Sequence, residues 1–171
     1  MDALKSKIRH VPDFPKPGIL FYDVTTLLRD AEGFKLAIDS LASPYLNAGI
    51  SLVVGVESRG FILGSAVADR IGAGFVPVRK VGKLPSATIR ATYDLEYGSD
   101  SLEMHRDAIE PGQRVLIVDD LLATGGTARA TVDLVKQLGG IVVGVAFLVE
   151  LLDLNGRQRL QGEIVRAVLQ Y

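Results

Sequence analysis

The sequence predicts one α/β domain over residues 1–171, built on an open parallel sheet that helices cover on both faces. Uninterrupted apolar runs, typical of buried strands, alternate along the chain with segments of helical periodicity. The length is sufficient for one well-buried core and short for two domains. Together these observations favour parallel strands joined by helices.

The first predicted elements follow a proline-rich segment. Three prolines and a glycine predict an extended, turning chain over residues 11–18 rather than a helix. The apolar residues 19–22 predict a short strand, and the helical spacing of apolar side chains over 31–46 predicts an amphipathic helix. Residues 47–49, Asn-Ala-Gly, supply its C-terminal stop.

Strands and helices then alternate to near the end of the chain. We predict strands at 52–56, 74–78, 114–119 and 141–149, and helices at about 60–71 and 126–138. In an open sheet of this kind, ligands bind at the carboxyl ends of the strands, beside the point where the strand order reverses. The residues that follow each strand are therefore the first candidates for a site.

Residues 79–112 interrupt the alternation. They contain no long apolar run, and the stretch is about twice the usual length of a loop, which is typical of functional lids. Two partial strands at 87–95 and 101–105 predict a β-ribbon with a mobile tip. This excursion carries several charged residues and tyrosines that could face a ligand.

Composition excludes several classes of function. The net charge is −1, whereas a general nucleic-acid binder needs a basic face, so we expect no nucleic-acid partner. No apolar run approaches the ~18 residues that span a bilayer, and residues 1–9 lack the apolar core of a signal peptide. Cysteine is absent, which excludes disulfides and thiolate metal sites. We expect a cytoplasmic protein with no membrane partner.

The segment 115–127 holds the clearest candidate site. An apolar run ends in Asp119 and Asp120, and a Thr-Gly-Gly-Thr turn then opens a predicted helix. The start of a helix presents unpaired N–H groups and partial positive charge, which suit a phosphate. The glycines let the backbone approach the anion closely. The two carboxylates instead suit groups with donors or positive charge: ribose hydroxyls, a cationic transition state or Mg²⁺.

Simpler explanations exist for each feature taken alone. Adjacent aspartates after a strand are usually turn or capping residues, and a Gly-Gly pair is usually a tight turn. Their combination at the end of a buried strand is hard to explain as turn chemistry. The two common nucleotide-binding patterns, G-x-x-x-x-G-K-[ST] and G-x-G-x-x-G, do not occur in the chain.

The strand followed by Asp-Asp-Leu-Leu-Ala-Thr-Gly-Gly-Thr resembles the signature with which type I phosphoribosyltransferases bind phosphoribosyl pyrophosphate (PRPP). Other segments resemble, in order, the adenine phosphoribosyltransferases of that family, and the likeness runs from residue 14 to the last residues. These segments are 14–18 (Phe-Pro-Lys-Pro-Gly), 57–61 (Glu-Ser-Arg-Gly-Phe), 79–80 (Arg-Lys), 82–85 (Gly-Lys-Leu-Pro) and 95–98 (Leu-Glu-Tyr-Gly). The resemblance implies transfer of phosphoribose from PRPP to N9 of adenine, giving AMP and pyrophosphate.

The resemblance also implies roles for individual residues on the PRPP side. Asp119 and Asp120 hold the ribose hydroxyls, and their charge favours an oxocarbenium-like sugar. A cis peptide is expected near Glu57-Ser58. The 5′-phosphate is bound by Ala123, Thr124, Gly125, Gly126 and Thr127, and the pyrophosphate is faced by Ser58, Arg59, Arg79, Lys80 and Lys83.

On the base side, the resemblance implies that adenine stacks on Phe21, within a small N-terminal hood formed by residues 1–30. Backbone groups of Leu20 and Tyr22 read the edge of the base, and Tyr97 closes over it. Glu96 is the candidate for handling the purine proton. With Arg59 and the two aspartates, it completes the predicted catalytic set.

The resemblance implies one cofactor and one further partner. Mg²⁺ enters mainly through PRPP, with Asp119 and Asp120 as the candidate protein ligands. The family's sites lie beside a subunit interface, so a homodimer is expected, and Arg79 is the candidate to reach across it.

Three rival functions stay open at this point. A transcriptional regulator with the same fold would need a DNA-binding domain, for which the chain has no room. A transferase specific for xanthine, guanine or orotate would be expected to differ at Phe21 and in the Leu-Glu-Tyr segment. A PRPP sensor without turnover would not need Glu96.

Overall fold

The N-terminal hood begins the structure, a computed structural model that describes residues 2–95 and 98–171. It contains a short helix α1 (Asp2–Lys5), an antiparallel hairpin of strands β1 (Arg9–Pro12) and β2 (Leu20–Asp23), and a helical turn α2 (Thr25–Leu28). The sequence predicted the second strand. It did not predict β1, whose four residues include a proline and only one other apolar side chain.

A seven-stranded sheet forms the centre of the molecule. Its order is β5-β6-β4-β3-β7-β8-β9. The strands are β3 (Leu52–Val56), β4 (Gly74–Lys80), β5 (Thr88–Asp94), β6 (Ser99–His105), β7 (Arg114–Leu122), β8 (Ile141–Glu150) and β9 (Val165–Gln170). Five adjacent strands, β4, β3, β7, β8 and β9, are parallel, as the apolar runs predicted.

The two strands of the lid extend this sheet instead of standing apart from it. β5 pairs with β6 in antiparallel orientation, and β6 pairs with β4 through Arg79 opposite Glu103 and Lys80 opposite Leu102. The sheet is therefore mixed at this edge, whereas the sequence predicted a parallel sheet with a separate ribbon. Backbone pairing across an edge leaves no sharp signal in the side-chain pattern.

Helices cover both faces of the parallel strands. Helices α3 (Ala31–Ala42) and α4 (Arg59–Ile71) pack on one face, where the fully buried Leu63 meets Leu116 and Val118 of β7. Helix α5 (Gly126–Gln137) packs on the other face, against the alternate residues of the same strand. This alternation is the two-residue period of a strand buried on both sides.

Some predicted elements differ from the structure. Helix α3 ends at Ala42 and continues as a 3₁₀ turn, Ser43–Tyr45, because Pro44 has no N–H to donate to an α-helical bond. Strand β7 extends to Leu122 instead of ending at the predicted Asp119, so both aspartates lie inside the strand. Strand β9 was not predicted. None of the helices in the described ranges has the length and apolar character that crossing a membrane requires.

Candidate active site

A cleft of about 410 Å³ opens at the carboxyl ends of β3 and β7. These neighbours mark the switch point of the sheet, since the chain passes from β3 to β4 on one side and later to β7 on the other. The lining includes most residues predicted to bind PRPP. They are Ser58, Arg59, Lys80, Asp119, Asp120 and the loop from Ala123 to Thr127, joined by Val56, Glu57, Tyr93, Leu102, Leu121, Leu122 and Ala128.

The loop between β7 and α5 has the geometry of an anion site. Gly125 is the N-cap of α5 and adopts a positive φ of 84°, a conformation that glycine adopts without steric cost. The first backbone N–H groups of the helix have no partner within the helix and carry partial positive charge. They line the cleft together with Thr124 and Thr127. We call residues 123–127 the phosphate loop.

Asp119 and Asp120 form an adjacent pair of carboxyl groups on the floor of the cleft. The backbone N–H of Asp120 donates to Asp119 Oδ1 at 2.9 Å. Burial raises the pKa of Asp119 well above its ordinary value, and the neighbouring charge of Asp120 raises it further. A buried acid that is costly to ionise gains most from a positively charged ligand.

Arg59 connects this carboxylate pair to the hood. It is the first residue of α4, and its Nε donates to Asp120 Oδ2 in an ion pair. Its guanidinium also lies 5.9 Å from the centre of the Phe21 ring. Arg59 therefore touches the predicted sugar site on one side and the predicted base site on the other.

The turn after β3 holds a second cluster of charged groups. The peptide bond between Glu57 and Ser58 is cis, as the resemblance implied. The Glu57 carboxylate accepts from the Arg79 guanidinium at 3.1 Å and from the backbone N–H of Lys80. The Lys80 ammonium pairs with Asp100 of β6. Sequence reasoning missed Asp100, whose partner only the sheet pairing reveals.

The other two predicted cations lie farther from the cleft. Neither Arg79 nor Lys83 is among the described residues that line it. The Arg79 guanidinium packs over Phe61 at 5.8 Å while it contacts Glu57. Lys83 is exposed, and its backbone N–H donates to the carbonyl of Lys80.

In the hood, Phe21 lies beside Arg59 of the cleft but is not among the described residues that line it, and Tyr22 packs elsewhere. Phe14 packs edge-on against Phe21 with ring centres 5.1 Å apart. Tyr22 packs instead against Tyr171 and His10, with ring centres at 4.2 and 5.1 Å. This alternation along β2 leaves the backbone of Leu20 and Tyr22 flanking the Phe21 ring. The terminal tyrosine that supports the hood was not predicted as part of the site's framework.

The lid borders the cleft through Tyr93. Its hydroxyl is 3.4 Å from Asp100 Oδ2, and a side chain at Gly126 would meet its ring at 3.0 Å. Tyr93 of β5 therefore lies close to the phosphate loop. The predicted roles of Glu96 and Tyr97 fall outside the described residues.

The residues of the cleft fit a divalent cation that is already coordinated by the phosphate oxygens of a ligand. Among residues 2–95 and 98–171, no three His, Cys, Asp or Glu side chains converge on one point. Asp119 and Asp120 supply hard carboxylate oxygens, the ligands that Mg²⁺ prefers, and Mg²⁺ commonly takes one or two carboxylates together with substrate phosphates.

The fold and this cleft define a nucleotide-forming class: a doubly wound sheet whose switch point carries a phosphate loop beside two carboxyl groups. The Phosphoribosyl transferase domain model matches residues 25–164. The chain belongs to the phosphoribosyltransferase family.

Relatives that match nearly the whole chain show which kind of phosphoribosyltransferase it is similar to. An adenine phosphoribosyltransferase of Acidobacterium capsulatum is 63% identical over 99% of this chain and 94% of its own length. The crystal structure of the Rhodothermus marinus enzyme of that name has a TM-score of 0.95 at 57% identity, covering 99% and 97% of the two chains. The Saccharomyces cerevisiae enzyme, solved with adenine and an iminoaltritol bisphosphate, has a TM-score of 0.91 at 42% identity, covering 96% and 95%. The chain is an adenine-type member of the family.

Proposed function

We propose that the chain joins adenine to PRPP, releasing AMP and pyrophosphate, in the cleft between β3 and β7. The observation that supports this most strongly is the order of groups at the cleft: the phosphate loop and Asp120 line it together, Arg59 pairs with Asp120, and Phe21 lies beside Arg59. A phosphate site, a sugar site and a base site then stand in the order in which a nucleotide contains them. The yeast relative, solved with adenine, supports the same substrate for this chain.

In the proposed reaction, N9 of adenine bonds to C1′ of the ribose as the bond from C1′ to the pyrophosphate oxygen breaks. Positive charge develops on the sugar. Asp119 and Asp120 are oriented before the reaction starts, so their negative charge stabilises that cation without reorganisation. The purine proton passes to a base, for which Glu96 is the proposed acceptor.

The 5′-phosphate is proposed to lie on the phosphate loop, where the N–H groups of α5 and the hydroxyls of Thr124 and Thr127 donate to it. The pyrophosphate is proposed to face Ser58, Arg59 and Lys80. Lys83 and Arg79 would join them once PRPP draws positive charge toward the cleft, since charge-assisted hydrogen bonds are the stronger ones.

Arg59 has two proposed tasks. Before PRPP binds, its ion pair with Asp120 compensates a charge that is only 11% exposed. When PRPP is bound, the guanidinium faces both the Asp120 carboxylate and the pyrophosphate group, and it fixes the position of one relative to the other. Its contact with Phe21 then couples a filled PRPP site to the base site.

Four further assignments are part of the proposal. Mg²⁺ bound to PRPP would neutralise charge on the leaving pyrophosphate, with Asp119 and Asp120 as the candidate ligands. A homodimer and a cytoplasmic location stay predictions, and so does a role for Arg79 across the interface, since within one chain Arg79 contacts Glu57.

The test is AMP formation from adenine, PRPP and Mg²⁺, with hypoxanthine, guanine and xanthine in parallel. We expect turnover with adenine alone. Preference for a 6-oxopurine would keep the PRPP site and overturn the base site at Phe21. PRPP binding without turnover of any base would favour a sensor.

The role of Glu96 is tested by Glu96→Gln, with Glu110→Gln, an exposed carboxylate elsewhere, as the matched control. Loss of a general base costs roughly 10²–10⁴-fold in rate. We expect that loss in the first variant only. Equal rates for both variants would remove Glu96 from the proposal.

A further inference from the structure

The phosphate loop rests on a second segment of backbone, the 3₁₀ turn Gly156–Leu160. A Cβ atom at Gly125 would overlap the carbonyl oxygen of Gly156, and a Cβ atom at Gly156 would overlap the carbonyl oxygen of Ala123. Both glycines are buried. The loop and the turn therefore touch backbone to backbone, without flexible side chains between them to absorb a displacement.

Arg157 fixes the turn to the sheet. Its Nε and Nη2 donate to the two oxygens of Glu150 at 2.5 and 2.8 Å, and its Nη1 donates to the carbonyl of Val165 at 2.9 Å. One guanidinium thus joins the turn, the end of β8 and the start of β9. A bidentate pair of this kind constrains orientation as well as distance.

Glu150, the carboxylate that Arg157 contacts, is itself held firmly in the sheet. Only 3% of the residue is exposed, and Gln170 of β9 donates to its carboxylate at 2.9 Å. The hydrogen bond from Arg157 holds the pKa of Glu150 below its ordinary value, so the carboxylate is charged at neutral pH. Glu150 also lies directly opposite Leu122, the last residue before the phosphate loop.

We propose that Arg157 is a positioning residue for the 5′-phosphate. It acts through Gly156 and the phosphate loop: anchored by Glu150, it holds the turn against residues 123–125 and so sets where the loop's N–H groups point. This inference rests on the proposed function, because it assumes that the loop binds the 5′-phosphate of PRPP. No local sequence pattern points to this role, since Arg157 lies 30 residues beyond the end of the loop.

The experiment compares Arg157→Ala with Lys136→Ala. Lys136 also pairs with a glutamate whose side chain is 4% exposed, Glu163, but it lies in the last turn of α5, far from the helix N-terminus. Both variants remove a cation from a carboxylate with little exposure, and in Lys136→Ala the Arg129 guanidinium, at 3.8 Å, stays near Glu163. Steady-state KM values are measured for PRPP and adenine, together with Tm and the Kd values of AMP and adenine.

For Arg157→Ala we expect the KM for PRPP and the Kd of AMP to rise roughly 10-fold or more, because misplacement of binding groups by about 1 Å costs up to ~10²-fold. The Kd of adenine alone should stay unchanged. Lys136→Ala should change only Tm. Arg157→Lys should recover part of the PRPP affinity, since it keeps one charged contact to Glu150.

Two results overturn the inference. One is an unchanged KM for PRPP in Arg157→Ala, and the other is an equal effect in Lys136→Ala. Should Arg157→Ala fail to fold, Glu150→Gln, which keeps the shape of the anchor and removes its charge, is measured against the same expectations. Wild-type protein that makes no AMP overturns the proposed function instead, so the two failures are distinguishable.

Discussion

Gly60 lies where α4 meets the carboxyl groups of the site, and Gly60→Ala tests whether their position governs the rate. A Cβ atom at Gly60 would lie 2.7 Å from Asp119 Oδ1. Carbon and oxygen atoms in ordinary contact are at least ~3.3 Å apart. The carboxyl group or the helix must therefore shift by about 0.6 Å, the difference between these distances. A displacement of about 1 Å can cost ~10²-fold in rate, so we expect turnover to fall roughly 10-fold.

Gly64→Ala is the matched control, one turn farther along the same helix. Its Cβ atom would lie 2.9 Å from Phe75 Cε2, against an ordinary carbon–carbon contact of about 3.5 Å, so the required shift is again about 0.6 Å. Here the neighbour that must move is an aromatic ring and not a carboxyl group of the proposed site. Turnover should therefore stay near the wild-type value.

Both substitutions should have similar effects on stability. Overpacking costs ~1–3 kcal/mol, and the higher helix propensity of alanine over glycine offsets up to ~1 kcal/mol of that. Since 1 kcal/mol shifts the Tm of a domain of this size by about 2–4 °C, we expect both Tm values to fall by less than about 8 °C. Initial rates of AMP formation and thermal unfolding measure the two effects. Wild-type turnover in Gly60→Ala, or an equal loss in Gly64→Ala, would show that the position of Asp119 does not govern the rate.

Three further variants test the base site, the buried acid and the anchor of the turn. Phe21→Ala should raise the KM for adenine by roughly 5- to 150-fold, since base–aromatic stacking contributes ~1–3 kcal/mol. The KM for PRPP should stay unchanged. A change in both KM values would contradict a stacking role. Asp119→Asn should lower turnover but raise Tm at neutral pH, because the folded protein holds the pKa of Asp119 above its ordinary 3.8 and ionisation is therefore costly. That Tm advantage should shrink as the pH falls toward 3.8, and an advantage independent of pH would count against it. Glu150→Gln should lower Tm most near neutral pH, because a pKa below the ordinary 4.5 contributes stability above that value and loses it as the pH falls through the folded pKa; unfolding curves across an acid pH series measure the difference.

The predicted site residues that the structure brings together are mostly those whose signal is local in sequence. A strand end, two glycines and a helix start lie within a few residues of one another, so the sequence indicates an anion site here, and residues 119–127 all line the cleft. Arg59, predicted from the Glu-Ser-Arg-Gly-Phe segment, lines the same cleft from the end of the neighbouring strand. The lysine at position 80 was found through a short motif, but its partner Asp100 was not, because their contact depends on the pairing of β6 with β4.

Hydrophobic patterning along the chain predicted the alternation of strands and helices, and turn chemistry indicated residues 123–127 as a candidate anion site at the carboxyl end of a strand. Hydrophobic periodicity and turn chemistry act over a few residues, so they can be read along the chain. The packing of whole elements decides that β5 and β6 extend the sheet, that Tyr22 packs against Tyr171, and that Gly156 lies against the backbone of the phosphate loop. Those contacts join segments that are distant in sequence, and they depend on how whole elements pack, which no local pattern encodes.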